Sequence, residues 1–275
     1  MSHPSSTSQR SLGRSESWGQ WWGSVGAALG VAVLLITGWQ VGVVVMNVPK
    51  IMLPTPTQVI AAAWTQRENL IVGSATTLAT ACIGLFVAVV IGTFISILFS
   101  QSRSLRRALF PYVIFLQTVP IVAIAPLLII WSGYEFRTAV IATVIICLFP
   151  IVNNVTTGLS SAMPEHADLF RLHGATRWQL LTRLQIPTAI PYLVLGTRIS
   201  SGLAVIGAIV AEFFVSNGAT YEGLGALMTS WQGLMQTDAL MAALGMSTLL
   251  GVILFGSVNA ISRLFLSRYL RETES

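Results

Sequence analysis

Arg198 and Glu212 stand inside one long apolar run, residues 189–214, where an ionisable side chain has no water to solvate it. Ionisable groups at membrane depth are costly and are functional candidates by default. They lie 14 positions apart, roughly 21 Å along a helix, too far to neutralise each other. Two readings are open. Arg198 snorkels or bonds carbonyls at an inner gate while Glu212 caps the outer end of its helix, or both contact substrate along a gated path. Gln117, Thr118, Asn153 and Asn154, with Thr156 and Thr157, sit close to prolines in other apolar runs. They serve either as hydrogen-bonding glue between helices or as the lining of a polar path.

Other chemistry is hard to build from these residues. The sole lysine, Lys50 in NVPKIML, does not fit the phosphate-cradling G-x-x-x-x-G-K-[ST] loop. His3, His166 and His173 lie in polar segments away from Cys82 and Cys147, so no metal-ligand spacing arises. No nucleophile–base–acid set is visible. The expectation is a chain that is not an enzyme and holds no cofactor of its own. Both cysteines sit in apolar stretches and read as small packing residues rather than a disulfide.

The elements that position these residues follow from composition. Of 275 residues, 54% are hydrophobic and 9% charged, against about 25% charged in soluble domains. Such a chain is predicted to be an all-α polytopic membrane protein with lipid as its surroundings. Its formal charge of +5 comes from arginines in short segments between apolar runs, which is an orientation signal rather than a nucleic-acid patch. A spanning helix needs about 20 mostly apolar residues. Six candidates result: 25–46, 75–99, 108–131, 138–160, 189–214 and 240–266. The first is too long for a signal-peptide core and is read as uncleaved. Residues 1–24, Ser-rich, read as a disordered tail and 269–275 as a second tail, flanking one transmembrane domain at 25–268. With six spans, 11 basic residues fall on one side and three on the other, Arg198 aside. Both termini and the 161–188 loop are therefore expected in the cytoplasm.

That loop, with the start of the fifth span, carries PEHADLFRLHGATRWQLLTRLQIPTAIP, residues 164–191. Pro164 suits a first helical position, and Glu165 and Asp168 complement the helix dipole. Leu169, Phe170 and Leu172 give the helix an apolar side, and Gly174 ends it in the left-handed conformation. Thr176 and Gln179 form a capping-box pattern, so a second helix is predicted to start at once and to run until Pro187. The segment is either an amphipathic helix lying on lipid or a rigid protruding elbow. Back-to-back caps around one glycine favour the elbow.

The segment resembles the EAA loop of bacterial ATP-binding-cassette importer permeases, with pattern E-A-A, three residues, G, nine residues, I-x-L-P. Gly174 takes the glycine, Leu184-Gln185-Ile186-Pro187 the final motif and Asp168 the glutamate, while Leu169 and Phe170 replace the alanines. LPTPTQV at 53–59, QTVPIVAIAPLLIIWSGY at 117–134 and GTRISSGLAVIGAIVAEFF at 196–214 resemble the nitrate/sulfonate/bicarbonate-type permeases. That group includes permeases for thiamin-pyrimidine precursors and riboflavin. The likeness covers about residues 50–268.

The resemblance implies a type I importer permease in a bacterial inner membrane. Asp168, Arg171, Gly174, Ala175 and Thr176 would contact or shape the ATPase-docking elbow, with Leu184, Ile186 and Pro187 anchoring it to the spans. It further implies two ATPase subunits that bind the ATP and Mg²⁺, and a periplasmic binding protein docked outside. A homodimer is expected because so few spans enclose a path poorly alone. The outer loop 215–238, with Glu222 and Asp238, would receive the binding protein, and LGALMTSWQGLM within it reads as an interfacial helix with Trp231 at headgroup depth. Substrates consistent with so few charges are a small anion, a sulfonate, or a pyrimidine- or riboflavin-like vitamin precursor. An ion-coupled secondary transporter is the competing class, but it needs several buried carboxylates. A polytopic membrane enzyme would need His or carboxylate clusters at one depth.

Overall fold

The computed structural model describes residues 16–133, 135–215 and 223–273. Among these residues every regular element is helical: α1 (Glu16–Val45), α2 (Pro56–Thr65), α3 (Arg67–Gln101), α4 (Arg103–Thr118), α5 (Ile121–Ser132), α6 (Phe136–Ser160), α7 (Pro164–Leu172), α8 (Arg177–Leu180), a π turn (Leu181–Gln185), α9 (Ile186–Val215), α10 (Leu224–Gly233) and α11 (Thr237–Thr273). Five helices are long and apolar enough to cross a bilayer, and α4 with α5 supplies a sixth if the pair counts as one span.

The centre of the bundle is α6 against α9, with α3 laid across both. In lipid no hydrophobic drive pulls helices together, so close van der Waals approach and polar contacts must do it. The residues here suit that demand. A Cβ added to Gly158 would lie 2.7 Å from the Tyr192 Cβ and 2.9 Å from the Ala189 Cα, so the two backbones nearly touch. Ser200 Oγ donates to the Cys147 carbonyl at 3.0 Å, and Cys147 Sγ returns a bond to the Ser200 carbonyl. Ala81, Leu85, Ile151, Val155, Ala204 and Ala208 fill the core between them. Hydroxyls within the spans mostly bond their own helix, as Thr143 does to the Ala139 carbonyl at 2.8 Å. α1 stands apart with α2 as its main contact, its apolar side chains exposed.

Several expected boundaries are corrected. The third span, 108–131, is two helices, α4 and α5, meeting at 101°. Pro120 cannot donate to the helix ladder, and it holds Val119 extended at ψ 123°. The second elbow helix does not stop at Pro187 but runs on from Arg177 to Val215. There the π turn carries the helix past the proline: Ile186 N–H reaches back to the Leu181 carbonyl, and the wider turn makes room for the ring. Helix α1 begins at Glu16, inside the tail predicted to be disordered, and residues 1–15 lie outside the described residues. Helix α11 continues to Thr273, through most of the second expected tail. Trp231 is covered by protein rather than lying open at the surface. Helix α10 packs into the bundle, and Leu224, Met228 and Trp231 are buried against Leu70, Ala239 and Ala243. Glu222 lies outside the described residues.

Candidate coupling elbow and outer clamp

The elbow is built by local signals alone. Helix α7 buries none of its residues. Its end is a Schellman motif: Gly174 at φ +70° donates to the Arg171 carbonyl, and Ala175 donates to the Phe170 carbonyl, both at 3.0 Å. No atom lies within 4 Å of a Cβ placed on Gly174, so backbone conformation, not space, selects glycine there. Two residues later the capping box closes. Thr176 Oγ1 accepts from Gln179 N–H at 3.3 Å, and Gln179 Oε1 accepts from Thr176 N–H at 2.8 Å. Arg171 and Asp168 pair at 2.9 Å on the exposed side, a contact worth little in water.

The crook between α7 and α8 is a hollow of about 290 Å³ lined by Leu169, Phe170, His173, Ala175, Gln179 and Arg183. Around it Leu169, Leu172 and Trp178 are exposed. Apolar side chains held outward on a stiff support mark a contact surface. The residue that anchors the elbow most firmly is Leu181, 1% exposed and packed in the core beside Leu159 and Ala189. Ile186 packs against the same cluster, while Leu184 and Pro187 are half-buried. Leu181 was missed by sequence reasoning. Its signal was its place three residues before Leu184 on one helical face.

The residues offered as a polar path are scattered. Gln117 and Thr118 are exposed at the α4–α5 bend, where Thr118 Oγ1 bonds the Phe115 carbonyl. Asn153 and Asn154 are half-buried on α6, and Asn154 Nδ2 donates to the Pro150 carbonyl at 2.7 Å. Arg198 is half-buried on α9, and its Nε is enclosed without a hydrogen-bond partner in the described residues. The side chain of Asn154 faces the neighbouring Gly196.

Glu212 stands away from all of these and is fully buried. Its Oε2 accepts from Thr77 Oγ1 at 2.8 Å and from Gly225 N–H at 3.0 Å, while Thr77 Oγ1 accepts from Leu224 N–H at 2.9 Å. The carboxylate and its relay therefore satisfy the first donors of α10 and face the positive end of its dipole. A Cβ on Gly223 would overlap the carboxylate, so the chain must be bare where it passes. This clamp fastens α3, α9 and α10 together. Thr77, the second half of it, carries no sequence signal that separates it from the other threonines of α3.

Residues 84–269, which include the elbow and Glu212, match the family of binding-protein-dependent transport system inner membrane components. The chain belongs to that family. It is a permease subunit of an ATP-binding-cassette importer. Among its relatives is the formylaminopyrimidine transport permease protein ThiX of Halalkalibacterium halodurans, 32% identical over 85% of this permease and 92% of that protein. The riboflavin transport system permease protein RibX of Chloroflexus aurantiacus is 32% identical over 86% and 89%. In fold the permease resembles a chain of the inward-facing MetNI methionine ABC transporter, with a TM-score of 0.63 over 73% of this chain and 97% of that one at 18% identity. Membership places the chain in an inner membrane and decides against an ion-coupled secondary transporter.

Proposed function

We propose that the elbow couples this permease to two ATPase subunits, which bind and hydrolyse the ATP, and that the bundle passes a small vitamin-like heterocycle delivered by an extracytoplasmic binding protein. One observation carries the reading: the second arm of the exposed, doubly capped elbow, from Arg177 on, continues through the π turn into α9 without a break, with α7 held to it by the hydrogen-bonded turn at Gly174. A push on α7 is therefore delivered to the helix that packs against α3, α6 and α11. The hollow of the crook, with Ala175 in its wall, suits a side chain from the ATPase, and Asp168, Arg171 and Thr176 are exposed on the same elbow. Both termini and the elbow then face the cytoplasm, as the arginine asymmetry requires.

A second copy of the chain completes the path. Tyr112, Phe115, Ile130 and Trp131 are exposed apolar side chains, 63–75% each, on α4 and α5, the two helices that meet at the bend carrying Gln117 and Thr118. The substrate reading draws on the two relatives at 32% identity, named for formylaminopyrimidine and riboflavin. A small anion or sulfonate is the alternative, and the unpaired Arg198 Nε supports it. Riboflavin or pyrimidine binding by the partner binding protein, measured by calorimetry, separates the two.

Gly174→Val tests the coupling. A β-branched residue in the left-handed region costs roughly 1–2 kcal/mol and turns α7 away from α8. Uptake and copurification of the ATPase should both be lost, with membrane abundance near that of the parent. Gly174→Asn, which tolerates that conformation, should keep both. Abundance lost together with uptake would make the elbow a folding element instead.

A further inference from the structure

Behind the elbow, at the arginine-rich end of the bundle, the turn between α3 and α4 faces the start of α8 across a cavity of about 600 Å³. Arg103, Arg171 and Arg177 line it together with Gln101 and Gln185. An adjoining cavity of about 330 Å³ shares Arg103 and Arg171 and adds Arg106. Four arginines thus line the two adjoining cavities, and among the described residues only Asp168 forms an ion pair with any of them, on the exposed side of Arg171. Arg106 is braced by Ser160 Oγ at 3.2 Å and by the Phe110 ring at 5.9 Å. The N-terminus of α4, capped by Ser102, opens on the same space and adds its positive dipole end.

Charge of this sign and density selects an anion, and the guanidinium fork matches phosphate oxygens in pairs. Depth selects the source. Leu98 and Leu109 are exposed one to two turns further along α3 and α4, at 41% and 43%. Apolar side chains facing outward, followed at the helix ends by arginines, describe the boundary between acyl chains and headgroups. We propose that this pocket binds the phosphate of an acidic phospholipid headgroup. The headgroup bridges the α3–α4 turn to the elbow and braces it from the membrane side. The pocket shares Arg171, Ala175 and Thr176 with the elbow proposed to dock the ATPase, but lipid binding is read on the permease alone, so the two readings fail separately.

Native mass spectrometry of the purified permease, alone and with its ATPase, titrated with phosphatidylglycerol or phosphatidylcholine, reads this directly. One phosphatidylglycerol should be held more tightly than any phosphatidylcholine. An arginine near the surface is worth about fivefold in such binding, so Arg103→Gln with Arg177→Gln should weaken it roughly thirtyfold. Arg103→Gln alone should weaken it about fivefold and serves if the double variant does not fold. Arg107→Gln, exposed on α4 outside both cavities, should leave it unchanged. Equal retention of the two lipids, or an unaltered affinity in the Arg103 variants, would overturn the proposal. Displacement by millimolar sodium phosphate would give the pocket to free phosphate. Release of the lipid when the ATPase binds would give it to acidic side chains of that partner, and either result also sinks the lipid assignment.

Discussion

Replacing Glu212 with alanine isolates what holds α10 in the bundle. The carboxylate accepts from Thr77 Oγ1 and Gly225 N–H in a site without solvent exposure. Its removal leaves two buried donors unsatisfied, about 1–3 kcal/mol each. It also strips negative charge from the start of α10, about 0.3–1 kcal/mol more. Two effects offset these. An alanine carries no desolvated charge, and the Thr77 hydroxyl can turn to its own helix, as Thr80 bonds the Thr76 carbonyl. The balance is about 3 kcal/mol, which raises the open population of α10 roughly a hundredfold. A reporter thiol placed by Met228→Cys, at a position 3% exposed on α10, reads that population through its reaction with a hydrophilic maleimide in nanodiscs. The rate should rise about a hundredfold in Glu212→Ala and less in Glu212→Gln, which keeps one acceptor oxygen. Cys147, buried between α6 and α9, should stay unreactive and so reports that the core is intact. Equal rates with and without Glu212 would refute the clamp, and parallel exposure of Cys147 would show general unfolding.

Thr176→Ala opens the capping box at the start of α8, a loss of about 1 kcal/mol. Substrate-stimulated ATP hydrolysis by the reconstituted transporter should fall severalfold with no loss of purified complex, and Thr176→Ser should restore it. Gly158→Ala puts a Cβ against Tyr192 and Ala189 where the backbones nearly touch, which costs about 1–3 kcal/mol. The midpoint of thermal aggregation in detergent should drop by several degrees. An unchanged midpoint would mean that α6 and α9 are free to separate.

The elbow was legible because every signal that makes it is local. Gly174, Thr176 and Gln179 act within a few residues, and each forms the contact its type favours. The α4–α5 bend was half legible. Pro120 announced a kink, but the sharp angle depends on where α6 and α9 receive the two halves. Pro187 was misread as an end, since the chain alone does not show that one π turn can carry a helix past a proline. The surroundings of Trp231 were misread for a related reason: amphipathic spacing says that a face is apolar, not whether lipid or protein covers it.

Composition and short-range capping by themselves determined that this chain lies in a membrane, which of its loops carry the arginines, and where its elbow turns. Those features need only neighbours along the chain. Tertiary structure alone decided the partners of Glu212, because the hydroxyl that donates to it lies 135 positions earlier on another helix. A carboxylate cannot be buried without such donors, and no local pattern says which distant groups will supply them.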